Sequence, residues 1–254
     1  MTIRTLRESL LEPQMKNPGL ATDILVAAFG AEKGDIHWLE NTGNWQFTPR
    51  ALTTIDGALG IADISDIFPN TLAVLVSQDY EKIIAYDFTD PKAPKDRTLY
   101  QEKNIDFGSN KLEQADINGD GKKDLVWVHG DHFEEHIEDK PTDGIHWLDI
   151  AKKEPEFTSV GLLPMVFNGI PYDIDSDGKV DILATHIMKN RYDKASVGWY
   201  KNMGMGKLGA FTPVSFTSKA VLAAGIGKLL PSLAPSVVYQ DMTTLEFYLV
   251  TIGT

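Results

Sequence analysis

Two turns of this 254-residue chain carry oxygen ligands in one shared frame. The first reads Asp116-Ile-Asn118-Gly-Asp120-Gly121-Lys122-Lys-Asp124, and the second Asp173-Ile-Asp175-Ser-Asp177-Gly178-Lys179-Val-Asp181. Counting the leading Asp as position one, side-chain oxygens fall at positions one, three, five and nine. The glycine at six permits a sharp turn, and the backbone carbonyl of Lys122 or Lys179 at seven adds another oxygen. Hard oxygen donors at alternating positions are what Ca2+ requires. An EF-hand would place glutamate at position twelve, where this chain has Trp127 and Ala184, so the turns are expected between strands. An acidic turn can also form because Asp and Asn side chains cap their own backbone. Two such turns in identical register at equivalent points of a repeat favour two Ca2+ sites. Four carboxylates in the second turn, against three and a neutral Asn118 in the first, predict tighter binding at the second.

A different chemistry is concentrated just downstream of each turn. His129-Gly-Asp131-His132-Phe-Glu134-Glu135-His136 follows the first, and His186-Ile-Met-Lys-Asn190-Arg191-Tyr192-Asp193 the second. His129 and His186 each lie five residues beyond the closing Asp of their turn. Imidazole suits Zn, Fe, Ni or Cu better than Ca2+. His129, Asp131, His132, His136 and His186 are therefore the candidates for a second divalent metal and for catalysis. Such a site could activate water or polarise a sugar hydroxyl or carbonyl. Their equal register places the imidazoles of His129 and His186 toward one groove between neighbouring repeats. The plainer reading is a solvated acidic loop with two histidines hydrogen-bonded at strand ends. His37 and His146, each preceding a Trp, read as structural, because Gly198 takes that place in another copy.

The elements that must position these residues repeat along the chain. Ile36-His-Trp-Leu-Glu-Asn41, Ile145-His-Trp-Leu-Asp149 and Val197-Gly-Trp-Tyr-Lys-Asn202 are copies of one segment, with weaker copies at Ile84–Phe88 and Glu246–Val250. The markers Trp38, Tyr86, Trp147, Trp199 and Tyr248 are 48, 61, 52 and 49 residues apart. Each marker sits among β-branched and aromatic residues, as strands do. A second strand precedes it, a third follows in four copies, and a fourth comes before the turn. Four short strands per unit of about 50 residues is the signature of a propeller blade. The expected fold is an all-β single-domain propeller of five four-stranded blades, at approximately residues 11–55, 56–103, 104–162, 163–218 and 219–254. The fifth unit lacks an outer strand, and Thr2-Ile-Arg-Thr-Leu6 resembles Phe47-Thr-Pro-Arg-Ala-Leu52. A strand within residues 2–10 is therefore expected to pair with Phe247–Val250 and close the ring, removing an open edge.

Composition narrows the partners. Thirty-six acidic residues against 24 basic ones give a net charge of −12, which repels phosphate backbones and anionic membrane surfaces. Nucleic acid is thus not an expected partner. The absence of cysteine excludes disulfide frameworks, thiolate zinc sites and cysteine nucleophiles. The most apolar stretch, Ala220 to Tyr239, is broken by Lys228, Pro231 and Pro235, so membrane insertion is not expected. No apolar h-region follows Met1, and no signal peptide is visible.

The acidic turns and the later Trp-containing strand together resemble the FG-GAP/VCBS repeat family, which includes integrin-alpha-like and lectin-like propellers. The resemblance is strongest in the third and fourth repeats. It implies a β-propeller with structural calcium at Asp116, Asn118, Asp120, Lys122 and Asp124, and at Asp173, Asp175, Asp177, Lys179 and Asp181. Members of that family include carbohydrate-binding lectins, adhesion-receptor head domains and modules attached to enzymes, so fold does not settle function. The resemblance favours an extracellular or periplasmic setting. The functional expectation is a calcium-stabilised recognition module for a carbohydrate or protein ligand. The alternative is a metal-dependent sugar-modifying enzyme, a lyase, dehydratase or hydrolase, using the histidine-rich face.

Overall fold

The computed structural model describes residues 2–6, 23–30, 33–78, 80–90, 92–103, 108–130, 144–155, 157–163, 165–186, 197–215, 221–230, 234–241 and 243–252. The described chain is all-β and forms five antiparallel sheets, the blades of a β-propeller. It divides into two compact units, residues 1–106 and 107–254. No helix among the described residues is long and apolar enough to cross a membrane.

The first unit holds two sheets. One contains β1 (Thr2–Leu6), β2 (Asp23–Ala28), β3 (Asp35–Gly43) and β4 (Gln46–Thr54), and the other β5 (Ala58–Asp63), β6 (Thr71–Val76), β7 (Lys82–Asp87) and β8 (Lys95–Gln101). The second unit holds three. They are β9 (Ser109–Ala115) to β12 (Phe157–Leu162) by way of β10 (Asp124–His129) and β11 (Gly144–Leu148); then β13 (Val166–Tyr172), β14 (Asp181–His186), β15 (Val197–Asn202) and β16 (Leu208–Ser215); and last β17 (Val221–Gly227), β18 (Ser236–Asp241) and β19 (Phe247–Thr251).

Burial falls from the inner to the outer strands, and the sequence follows it. The second strands β6, β10 and β14 are buried at every residue, which is why they read as continuous apolar runs. The outer strands β4 and β8 are largely exposed and carry charge. Because side chains alternate across a strand, adjacent residues serve different interfaces. Ile182 and Ala184 join Val126, Val128, Ile145 and Trp147 in one core, while Leu183 joins Val221, Val237 and Tyr239 in the next. The first unit is held by its own cluster, including Leu25, Ile36, Trp38, Ile61, Leu72 and Val74.

The N-terminal strand does not take the place expected for it. β1 pairs with β2, from Thr2 opposite Ala27 to Leu6 opposite Asp23, and is the first strand of the first sheet. The fifth sheet has three strands among the described residues, with β19 paired to β18. The reason lies in the repeat itself. Every other sheet begins with a strand that precedes its turn, and in the first sheet β1 takes that place. The likeness of Thr2–Leu6 to residues 47–52 is the alternation common to any strand.

Candidate metal centre and histidine positions

The first acidic turn joins β9 to β10 and the second joins β13 to β14, between strands as expected. Both fold the same way. Asp116 accepts the N–H groups of Gly119 at 2.7 Å, Asp120 at 3.1 Å and Gly121 at 2.8 Å. Asp173 accepts those of Asp177 and Gly178, each at 3.1 Å. The glycine at position six has φ of +85° in one turn and +84° in the other, a left-handed step that glycine takes without steric cost.

The closing aspartates lie at the buried start of the second strand. Asp124 accepts the N–H of Ile117 at 2.9 Å and of Asn118 at 3.2 Å. Asp181 accepts those of Ile174 at 2.9 Å and Asn202 at 2.7 Å. Burial pushes the Asp124 carboxyl up to about 7; the two N–H donors oppose this and the charges of Asp149 and Asp120 add to it. Burial also raises Asp181, with Asp175 and Asp177 contributing and its two N–H donors opposing. Asp23 in the first sheet keeps the same bond, accepting the Asn41 N–H at 2.7 Å. The position therefore has a turn-fastening role even where the rest of the acidic frame is missing.

The donor set suits a hard cation. Asp173, Asp175 and Asp177 each offer a carboxylate oxygen, and these oxygens lie within 4.8 Å of one another. Two oxygens on one Ca2+, at about 2.3–2.6 Å each, are separated by no more than about 5 Å. An internal cation already reaches this cluster. The Lys201 ammonium donates to Asp175 and lies 3.4 Å from Asp177, and Lys179 donates to Asp177 at 2.8 Å. In the third sheet the residue equivalent to Lys201, two places beyond the marker Trp, is Asp149. Its carboxylate lies 3.5 Å from the Asn118 side-chain nitrogen and 3.5 Å from the Lys152 ammonium. Asp149 and Lys201 belong to the site and escaped the turn motif, although they sit inside the repeated segment that marks each blade.

Asn202 ties the two turns to each other. Its side-chain nitrogen donates to the carbonyl of Ile117 in the first turn at 2.8 Å and to that of Val180 in the second at 2.9 Å. Its oxygen accepts the Gly204 N–H at 2.8 Å.

The histidines are separated. His129 and His186 end β10 and β14 and are 0% and 1% exposed. The His129 ring lies 4.4 Å from that of His146 and 5.6 Å from Trp127, on the face of the third sheet that also carries Phe157. Val126, Val128 and Trp147 occupy the opposite face and pack toward the fourth sheet. His186 stands edge-on to Phe211 at 5.9 Å and pairs across the ladder with Val166, both of which belong to that same interface. The two imidazoles therefore lie on opposite sides of the third sheet, not in one groove. Asp131, His132 and His136 lie outside the described residues, as do residues 187–193.

The blades and their turns define the chain as a five-bladed β-propeller with an acidic turn at the head of two sheets. No family model matches the chain, and no curated protein does. Among solved structures it is similar to one of an Agrocybe aegerita lectin, described for its specific recognition of non-reducing terminal N-acetylglucosamine. The TM-score is 0.53 at 16% identity, over 86% of this chain and 60% of that one. The likeness is one of fold, and the chain spans about three-fifths of the lectin structure's length.

Proposed function

We propose that this chain is a calcium-stabilised recognition propeller of the FG-GAP/VCBS type that binds carbohydrate. The observation that carries the reading is the pair of turns with one frame and one fold, the second bringing three carboxylate oxygens within 4.8 Å. Asp116, Asn118, Asp120 and Asp124, with the Lys122 carbonyl, would hold one Ca2+. Asp173, Asp175, Asp177 and Asp181, with the Lys179 carbonyl, would hold the other. When bound, the ion neutralises clustered carboxylates that otherwise repel one another. The residues themselves do the rest: Asp116 and Asp173 fasten each turn, and Asp124 and Asp181 anchor it to the sheet.

The carbohydrate half of the proposal is supported by the lectin that shares the fold. The alternative of a metal-dependent sugar-modifying enzyme gains no support from the described histidines, which face different interfaces. Calorimetric titration of the chain with CaCl2, followed by a glycan array that includes terminal N-acetylglucosamine, tests both halves. Two Ca2+ bound per chain and calcium-dependent capture of a glycan are expected. No heat of calcium binding would refute the first half, and a protein ligand with no glycan captured would refute the second.

A further inference from the structure

Two equivalent hairpins share one backbone but fill one place in it with opposite choices. Asn41-Thr-Gly43-Asn44-Trp45-Gln46 leads from β3 into β4, and Asn202-Met-Gly204-Met205-Gly206-Lys207 from β15 into β16. Their ladders match, with Asn41 opposite Phe47 and Asn202 opposite Leu208. The three tip residues have φ of +95°, +53° and +60° in the first hairpin and +98°, +53° and +73° in the second. In each, the leading Asn side chain accepts the glycine N–H, at 2.9 Å and 2.8 Å.

The third tip residue is left-handed, a conformation that glycine takes freely and a bulky residue rarely takes. Gly206 fills it in the fourth sheet, where an added Cβ would meet Trp147 at 2.3 Å. The first sheet has Trp45 there, and the ring gains no burial in return, being 90% exposed. Asn44 and Trp45 form a two-residue loop between the paired Gly43 and Gln46, the setting in which Asn-Gly is favoured. Neither the turn nor the core therefore selects tryptophan at this position. Residues held in such rarely populated conformations concentrate at ligand-binding positions.

The surroundings narrow the ligand. Thr42 donates its hydroxyl to the Gln46 carbonyl at 3.2 Å, so the tip that carries the ring is tied across its base. Thr42, Asn44 and Gln46 are exposed and polar. Among the described residues of the first unit, the other exposed large apolar side chains are Phe29 and Tyr80. Each lies on the connection from second to third strand, at the opposite end of its sheet from the third-to-fourth turn. A protein interface centres on a packed apolar group ringed by polar residues. A single flat ring among two amides and a hydroxyl suits instead a ligand that is apolar on its face and hydroxylated at its rim. A pyranose with equatorial hydroxyls has that form, since C–H bonds line its flat faces. A convex tip touches a ligand from one side, which suits a unit within an extended chain.

We propose that Trp45 is a stacking platform for a β-linked chain of pyranoses with equatorial hydroxyls, an inference that rests on the carbohydrate reading above. The ring lies against one sugar face, and Thr42, Asn44 and Gln46 meet hydroxyls at its edge. Tryptophan provides this flat area at little conformational cost on binding.

The test titrates the full chain with cellotetraose in calcium-containing buffer, using wild type, Trp45→Gly, Trp45→Phe and Met205→Ala. Calorimetry reads affinity, and iodide quenching of tryptophan fluorescence reads the ring, because Trp38, Trp127 and Trp147 are at most 7% exposed. Cellotetraose should protect wild type from iodide. Trp45→Gly should weaken binding by about tenfold or more, Trp45→Phe by only a few-fold, and Met205→Ala not at all. Trp45→Gly should also melt no lower than wild type, because glycine already serves the equivalent turn; a clear fall in its melting temperature would make the residue structural and overturn the proposal. Undiminished binding in Trp45→Gly, or equal weakening in Met205→Ala, would overturn the platform and leave the carbohydrate reading standing. So would capture of other glycans on the array with no response to cellotetraose. No glycan bound in either assay would overturn both.

Discussion

Replacing Asn202 by Ala removes a side chain that bridges the two acidic turns. The residue is 1% exposed, and the change deletes three hydrogen bonds, to the Ile117 carbonyl, the Val180 carbonyl and the Gly204 N–H. Their fates differ. Ile117 is itself buried, so its carbonyl has no access to replacement water. Val180 and Gly204 are half-buried, and water can reach their polar groups at part of the original benefit. A stranded buried acceptor costs about 1–3 kcal/mol, and a bond exchanged for water about 0.5–1.5 kcal/mol. The sum is a loss of about 3 kcal/mol. For a domain of 150–250 residues, each kcal/mol moves Tm by roughly 2–4 °C, so a fall of about 6–12 °C is expected by calorimetry. The near-isosteric Asn202→Asp separates hydrogen bonding from space filling. It keeps the volume, turns a donor into a second acceptor against two carbonyls, and adds charge beside Asp181, which already accepts the Asn202 backbone N–H. It should be no more stable than the Ala variant. An Ala variant melting within 2 °C of wild type, or an Asp variant close to wild type, would refute the bridge.

Gly206→Ala and Gly119→Ala both place a side chain at positive φ, +73° and +79°, but only the first meets a wall, with its new Cβ 2.3 Å from Trp147. Urea denaturation should show a loss of about 1–2 kcal/mol for Gly119→Ala from the left-handed backbone alone. Gly206→Ala should add about 1–3 kcal/mol of overpacking, and equal losses would contradict this. Burial pushes the Tyr200 hydroxyl up to about 12. Its folded pKa thus exceeds the unfolded value of 10.0, and the protection is complete below pH 10 and lost as pH rises toward 12. Two units correspond to at most about 2.7 kcal/mol; Tyr200→Phe should flatten that part of the stability profile, and an unchanged slope would count against it. Lys201→Met removes the ammonium that reaches Asp175 and Asp177. Calcium should then bind the second turn a few-fold more tightly by calorimetry, and unchanged or weaker binding would show that the ammonium does not compete.

Different parts of this molecule were legible in the sequence for different physical reasons. The recurrent Trp marks the third strand of a blade because a large ring fills the space beside the next sheet, as Trp147 does, whereas Tyr86 and Tyr248 pack toward the preceding sheet. The acidic frames were legible because a tight turn with fixed glycine steps leaves little freedom in where its side chains point. The N-terminal strand was misplaced because strand alternation identifies a strand without identifying its partner. β1 takes the place beside β2 that β5, β9, β13 and β17 take beside the second strands of the other sheets. The two histidines misled for a geometrical reason. Equal register in successive blades repeats a side chain by rotation, so His129 and His186 serve different interfaces in the same way that Leu125 and Ile182 do.

The same rotation explains why counting carboxylates within a turn misjudges its charge. Position three of the turn and the residue two places beyond the marker Trp meet across the sheet, and the carboxylate of the pair sits on opposite partners in the two blades. The third blade has Asn118 with Asp149, and the fourth has Asp175 with Lys201. Asp149 thus adds a carboxylate beside Asn118 in the third blade, while in the fourth Asp173, Asp175 and Asp177 bring their oxygens within 4.8 Å of one another. The difference is in the cations, since Lys201 and Lys179 both engage the second cluster while Lys152 approaches only Asp149 in the first. The turn with more acidic residues of its own is thus the one more fully neutralised by its surroundings. A calcium ion at the fourth blade would have to displace an ammonium to reach Asp175, whereas at the third it would meet Asp149 as a further negative neighbour. On the calcium reading, this single residue position outside the turns predicts the reverse of the affinity order expected from the turn sequences alone, and calorimetric titration of Asp120→Asn and Asp177→Asn variants checks which site is the tighter.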